Sequence, residues 1–299
     1  MNSTSLRILT PAKVNLILRV LERRPDGFHA IWSLMQTVGL EDELTFTIQP
    51  SDTPLIALRC DQAALAADHS NLVYRAAQLV LDQVDRTVNL SIALTKRIPL
   101  GAGLGGGSSD AAATILGLTR LLGLEWSVER MAGVGQQLGS DVPFFFLAPA
   151  AVVTGRGEQV RLVQVSGTRW IVLVNPGFPV ETKWAYQRLS ASRTAVRPLS
   201  QALQQLGSHP VLDWSEITRL AENDFEAPVF AEHPLLAQIK HQLLSQGAEI
   251  ALLSGSGATM FGVFPDQVGA ERAAAVFARD PKMKAYAVPT AGAPVTSVL

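Results

Sequence analysis

"PLGAGLGGGSSDAAA", residues 99–113, places five glycines in the seven positions 101–107, then runs into two serines, an aspartate and three alanines. Glycine loses more chain entropy on folding than any other residue, so such a run is costly unless bare backbone is needed there. The stretch before it, "TVNLSIALTKRIP" (87–99), reads as a strand ending in the basic pair Lys96 and Arg97. From Ser108 onward, Ala111, Ile115, Leu118 and Leu122 recur at helical spacing until Gly123. In the order strand, glycine loop, helix start, free backbone N–H groups and the positive end of the helix dipole bind phosphate. Ser108 and Ser109 add hydroxyl donors. A flexible linker with a serine cap is the alternative, but a linker has no reason to stand between two strongly patterned elements.

Two familiar phosphate loops fit poorly. A P-loop needs a lysine and Ser/Thr after its last glycine, and none follows Gly107. A dinucleotide loop needs G-x-G-x-x-G, which Gly101, Gly103 and Gly106 match, with Glu125 near the distance of a ribose-binding acid. That acid should end a second parallel strand, whereas Glu125 falls in "LGLEWSVERM", a link between two helices.

The 299 residues suffice for a large core and suggest two lobes. A net charge of −1 argues against general nucleic-acid or membrane-surface binding. The single cysteine, Cys60, permits neither an intrachain disulfide nor a cysteine metal cluster. No His/Cys/Glu set has metal-ligand spacing, so no resident metal is expected. The longest apolar stretch, 142–153, has 12 residues and two prolines, short of the about 20 that a membrane helix needs. With no apolar targeting segment at the N-terminus, a cytoplasmic protein without nucleic-acid or membrane partners is expected.

Along the rest of the chain, residues 5–24 read as two short strands broken at Pro11, followed by turn chemistry at Pro25-Asp26-Gly27. Strands are expected at 42–49 and 55–60, and a helix at 70–84 with Ser70 as its cap. Further expectations are a helix over 127–139, a short element from 140, strands at 151–157 and 170–176, and loops over 176–213. A helix over 233–247, two strands around Gly255-Ser256-Gly257, a helix over 267–278 and a strand over 285–290 complete the reading.

Residues 99–109, P-x-x-x-G-L-G-G-G-S-S, resemble the ATP-binding motif of the GHMP kinases. "PAKVNLILRV" (11–20), "RPDGFHAI" (24–31), "LGSDVPFF" (138–145) and "LSGSGATMFGVF" (253–264) are similar to further motifs of that family, in the expected order. The set most resembles the branch acting on a cytidine diphosphate methylerythritol. The resemblance implies an α+β fold of two lobes. Residues 1–160 would form an ATP-binding lobe like ribosomal protein S5 domain 2, and 161–299 a ferredoxin-like lobe. It implies transfer of the γ-phosphoryl of ATP to the 2-hydroxyl of 4-(cytidine 5′-diphospho)-2-C-methyl-D-erythritol, on the route to isoprenoid precursors. ATP would arrive with Mg2+ as a substrate complex, with no tightly bound cofactor, to a monomer or weak homodimer.

The same resemblance assigns roles. Lys13 and Asp141 are the catalytic pair, although Lys13 alone reads as a solvated strand lysine and Asp141 as a helix N-cap before Pro143. ATP falls to the loop Pro99, Leu100, Gly101, Ala102, Gly103, Leu104, Gly105, Gly106, Gly107, Ser108 and Ser109, and Lys96, by its place just before the loop, is a further ATP candidate or else a solvated lysine. The substrate falls to Asn15, Phe28, His29, Tyr186 and the turn Gly255, Ser256, Gly257. Phe28 stands where the branch has tyrosine, keeping the ring and losing the hydroxyl. Trp184 competes with Tyr186 for the aromatic that stacks on cytosine. Asp110 starts a helix, is favoured there by the dipole, and reads as its cap, a metal role being the alternative. Three other readings stay open: another small-molecule kinase of the superfamily, an NAD-dependent oxidoreductase, and a nucleotide-binding protein without catalysis.

Overall fold

A computed structural model describes residues 3–84, 86–290 and 296–298. The elements are β1 (Thr4–Arg23), β2 (His29–Pro50), β3 (Leu55–Cys60), α1 (Leu72–Leu81), β4 (Val88–Thr95), α2 (Gly106–Leu121), α3 (Val128–Gln136), α4 (Val142–Leu147), β5 (Ala150–Gly155), β6 (Gln159–Leu162), β7 (Gln164–Val165) and β8 (Trp170–Asn175). After them come α5 (Thr182–Ser192), α6 (Gln201–Ser208), β9 (Val211–Leu212), α7 (Trp214–Leu220), α8 (Glu226–Glu232), α9 (Pro234–Ser245), β10 (Ile250–Leu253), β11 (Met260–Phe264), α10 (Gln267–Phe277), β12 (Lys284–Pro289) and β13 (Thr296–Val298).

The first sheet runs β13-β1-β2-β4-β3, with β5 and β6 added beyond the first half of β2. Long β2 pairs through Ile31–Gln36 with β5 and through Glu43–Pro50 with β4. Pro11 does not end a strand as the sequence suggested. β1 is continuous, and its pairing with β2 shifts register between Pro11 and Ala12 and again between Asn15 and Ile17. A bulge absorbs the missing N–H of proline without breaking the ladder. Lys13 and Asn15 lie between these two irregularities and, two residues apart on a strand, share a face.

The second sheet has the order β10-β11-β8-β12, all antiparallel neighbours. Its six core elements follow the chain as β8-helix-β10-β11-α10-β12, the ferredoxin-like arrangement. The last strand, β13, returns to the first sheet and pairs with β1. The fold is therefore α+β, as expected.

Local differences have plain causes. Helix α1 is capped by Asn71, whose side chain accepts from Val73 N at 2.9 Å, while Ser70 donates to Asp68 instead. Residues 176–213, expected as loops, contain α5 and α6. Helix α5 buries only Ala185 and Leu189, so its apolar stripe is too thin to register as a period, and α6 is short. Glu125 lies exposed between α2 and α3 rather than at a strand end, which removes the geometry a dinucleotide site requires. Among the described residues no helix is long and apolar enough to cross a membrane.

Candidate active site

Between β4 and α2 the glycine loop alternates in function. Ala102 and Leu104 are buried in the core, while Gly101, Gly103 and Gly105 take positive φ between them. The apolar side chains pin the loop and the glycines turn its backbone outward. At Gly103 a Cβ would lie 2.0 Å from the Ser254 carbonyl oxygen, and at Gly105 it would lie 2.9 Å from Lys13 Cγ. Bare backbone is thus demanded by the protein itself, which brings the loop against the Gly255-Ser256-Gly257 turn and against β1. Hydrogen bonds fix both contacts: Ser254 Oγ donates to Gly103 O at 2.9 Å, Thr259 N to Ala102 O at 3.2 Å, and Lys13 N to Leu104 O at 2.9 Å. Helix α2 then starts at Gly106 with no side-chain cap, leaving its first N–H groups for a ligand. Ser108 is half-buried, and Ser109 is fully buried with its hydroxyl unpartnered.

Lys96 holds this loop at both ends. Its ammonium bonds the carboxylates of Asp42 and Asp110, the latter at 2.7 Å, and Thr10 Oγ1 donates to Asp110 at 2.8 Å. Asp42 also accepts from Ile98 N at 2.8 Å. Asp42 therefore grips the segment entering the loop, and Asp110, one turn into α2, grips the segment leaving it. Burial alone would lower the Lys96 pKa, but the Asp110 and Asp42 charges outweigh it and raise the value. Burial raises Asp110 to about 6 against the opposing pull of Lys96. Asp110 is no cap: it is 1% exposed and turned into this network. The Lys96 ammonium is bonded to two carboxylates, and Lys96 also lines a smaller cavity beside the loop. This cavity, of about 450 Å3, opens along Pro99, Leu100, Gly101 and Phe178.

Lys13 is buried, not solvated. Its Nζ donates to Asn15 Oδ1 at 2.7 Å and lies 3.6 Å from Asp141 Oδ2. Asn15 is held in turn, donating to Ser33 Oγ at 2.8 Å, and Ser33 donates to Ile17 O at 2.8 Å. A methyl on Gly255 would sit 3.4 Å from the same Nζ. Asp141 occupies the N-cap position of α4 yet makes no side-chain capping bond. Its carboxylate is aimed at Lys13 and lines a cavity of about 1150 Å3.

That cavity collects the aromatic candidates, while Gly255, Ser256 and Gly257 are not among its lining residues. Phe28, His29 and Tyr186 line it together with Arg23, Arg156 and Arg193. Tyr186 stacks on His29 with centroids 5.1 Å apart, and the Arg156 guanidinium lies 4.8 Å over the exposed Phe28 ring. Trp184 instead packs against His233, with ring centroids 5.5 Å apart. Partial burial, helped by the charges of Arg23 and Arg193, lowers the His29 pKa and so favours the neutral ring. Burial and then the Asp141 charge push the Tyr186 hydroxyl up to about 12. Ser256 bonds Thr182 Oγ1 at 3.0 Å across the top of the site. Among the described residues no group of three or more His, Cys, Asp or Glu could hold a metal.

Comparison with known proteins joins these parts. The model of the GHMP kinases N terminal domain matches residues 71–148, and that of the GHMP kinases C terminal matches 200–281. A 4-diphosphocytidyl-2-C-methyl-D-erythritol kinase of Solibacter usitatus is 44% identical over 90% of this chain and 84% of its own length. One from Geobacter sp. (strain M21) is 40% identical over 90% of this chain and 93% of its own. The chain belongs to the GHMP kinase family. A crystal structure of 4-(cytidine 5′-diphospho)-2C-methyl-D-erythritol kinase, 32% identical, superimposes on this GHMP kinase with a TM-score of 0.77, covering 96% of this chain and 100% of the other.

Three groups of this GHMP kinase had no signal in the sequence reading. Asp42 sits at the start of an ordinary strand segment and shows its purpose only when β2 meets Lys96. Arg156 lies in a glycine turn between β5 and β6. Asn223 is 6% exposed, and its side chain reaches the Gly-Ser-Gly turn. Each acts across more than thirty residues of chain, where local periodicity is silent.

Proposed function

We propose that this kinase transfers the γ-phosphoryl of ATP to the 2-hydroxyl of 4-(cytidine 5′-diphospho)-2-C-methyl-D-erythritol. The observation that carries the reading is the Lys13–Asp141 pair, 3.6 Å apart, set between the glycine loop and the large aromatic cavity. The triphosphate lies along the loop and the uncapped start of α2, with the smaller cavity beside Pro99–Gly101 for the rest of the nucleotide. ATP arrives as its Mg2+ complex. The acceptor lies in the large cavity, its flat base among Phe28, His29 and Tyr186 and its diphosphate near the arginines.

Phosphoryl transfer asks little covalent chemistry of the protein, and positioning with charge stabilisation supplies most of the rate. Asp141 receives or aligns the proton of the acceptor hydroxyl. Lys13, fixed by Asn15, places its ammonium where negative charge is transferred. Neutral His29 offers both a donor and an acceptor nitrogen to a base edge.

The test is ADP formation with Mg·ATP and the cytidine diphosphate acceptor, beside mevalonate, homoserine and no acceptor. Turnover dependent on the cytidine compound alone is expected. Equal turnover with the small alcohols would make the chain a different kinase of the family.

A further inference from the structure

Five consecutive residues, Glu222–Glu226, contact β1, Arg193, Tyr186 and the strand and turn at Leu253–Gly255 without lining the large cavity. Asn223 donates one amide hydrogen to Leu253 O at the end of β10, at 2.7 Å, and the other to Gly255 O in the Gly-Ser-Gly turn, at 2.8 Å, and accepts from Phe225 N at 2.9 Å. Glu226 Oε1 accepts from Leu253 N at 3.0 Å, so both backbone groups of the residue that ends β10 are held by this segment. Asp224 accepts from Val20 N at 2.7 Å and pairs with Arg19 and Arg193, the latter at 2.8 Å. Arg193 lines the acceptor cavity. Phe225 stands edge-on to Tyr186 at 4.8 Å. The segment is itself fixed to β1, because Leu18 N donates to Glu222 O and Asp224 N donates to Leu18 O.

We infer that Asn223 is a positioning residue of the kinase reaction, which sets the Gly255-Ser256-Gly257 turn against Lys13 and the glycine loop. The inference rests on the kinase reading above. Its chemical basis is that only a primary amide of this length gives two hydrogens to two carbonyls while accepting one N–H. Gly255 is the contact through which the effect travels, since it lies beside both Lys13 Nζ and Gly103 O. Neighbouring Asp224, through Arg193, serves the acceptor side instead. Adjacent residues thus govern different halves of the reaction.

The experiment is steady-state kinetics of wild type, Asn223→Asp and Arg193→Met from pH 6 to 8. A carboxylate at 223 keeps the shape, loses both donors and faces two carbonyl oxygens. Protonation returns one donor. The charged groups around it are Glu222, Asp224 and Glu226, their partners Arg19, Arg193, Arg197 and Lys240, and Lys13 beyond the turn. Dividing by the wild-type profile removes the titration that both proteins share.

The expected result for Asn223→Asp is a kcat lowered roughly tenfold or more at pH 8, an acceptor KM within about threefold of wild type, and a variant-to-wild-type ratio that rises as pH falls. Arg193→Met is expected to raise the acceptor KM with kcat nearly kept. If Asn223→Asp does not fold, Asn223→Ser carries the same split between kcat and KM. A wild-type-like kcat in a folded variant, or equal losses in kcat and acceptor KM with no pH rescue, would overturn the inference. Wild type inactive with every acceptor would strike the kinase reading instead, so the two failures are distinguishable.

Discussion

Lys96 and Lys13 are both buried lysines beside the same glycine loop, and their surroundings are opposite. Lys96 lies between two carboxylates that are themselves buried, with Thr10 and backbone N–H groups completing the shell. Its charge is satisfied inside the protein. Lys13 has a neutral amide oxygen at 2.7 Å and one partly exposed carboxylate at 3.6 Å, beside bare glycine backbone on its other side. Its charge is less fully engaged than that of Lys96, and its one carboxylate partner, Asp141, lines the large cavity. A buried cation surrounded by anions holds structure. A buried cation with one distant anion and space beside it is equipped to meet a ligand.

Replacing each lysine by methionine, which keeps the stem and drops the charge, should separate the two regions. Lys96→Met leaves two buried carboxylates facing each other, and breaking a buried pair from one side costs about 3–5 kcal/mol. Denaturant unfolding should show that loss directly. The raised Lys96 pKa adds a pH signature. A group whose folded value lies above its ordinary 10.5 stabilises fully below that value and loses the contribution as pH rises through the folded value. The wild type should therefore weaken at strongly alkaline pH by an amount that Lys96→Met lacks. Lys13→Met should do the reverse, lowering turnover about 10²–10³-fold and stability by only about 1 kcal/mol. Two similar stability losses would erase the comparison.

The sequence conveyed the order of elements and the motif positions well, because strand alternation, helical spacing and glycine turns are local signals. It read the glycines as room for phosphate. The geometry adds a second reason, since Gly103 and Gly105 are also forced by Ser254 and Lys13. Lys13, without the resemblance, reads as a solvated strand lysine, yet it is buried beside Asn15. The register shifts on either side of them in the β1–β2 pairing set where they point, and bulges leave no clear mark in a sequence. Asp141 looked like a helix cap and holds the cap position, but its rotamer, turned toward Lys13, is a tertiary fact. Lys96 was assigned to ATP by its place before the loop. What it binds depends on Asp42, 54 residues earlier in the chain. The helices within 176–213 escaped notice because their buried faces are two residues wide.

Asp141 holds the cap position of α4 without a capping bond and has its carboxylate 3.6 Å from Lys13 Nζ, so the proposed transfer depends on it most directly. The deciding measurement is acceptor-dependent ADP formation by wild type and Asp141→Asn, with ATP binding and thermal unfolding recorded on the same samples. The account predicts a kcat lower by about 10²–10⁴-fold, with ATP binding and melting temperature unchanged, because the side chain makes no capping bond. Full turnover in the variant, or a loss of turnover matched by a loss of helix stability, would contradict it.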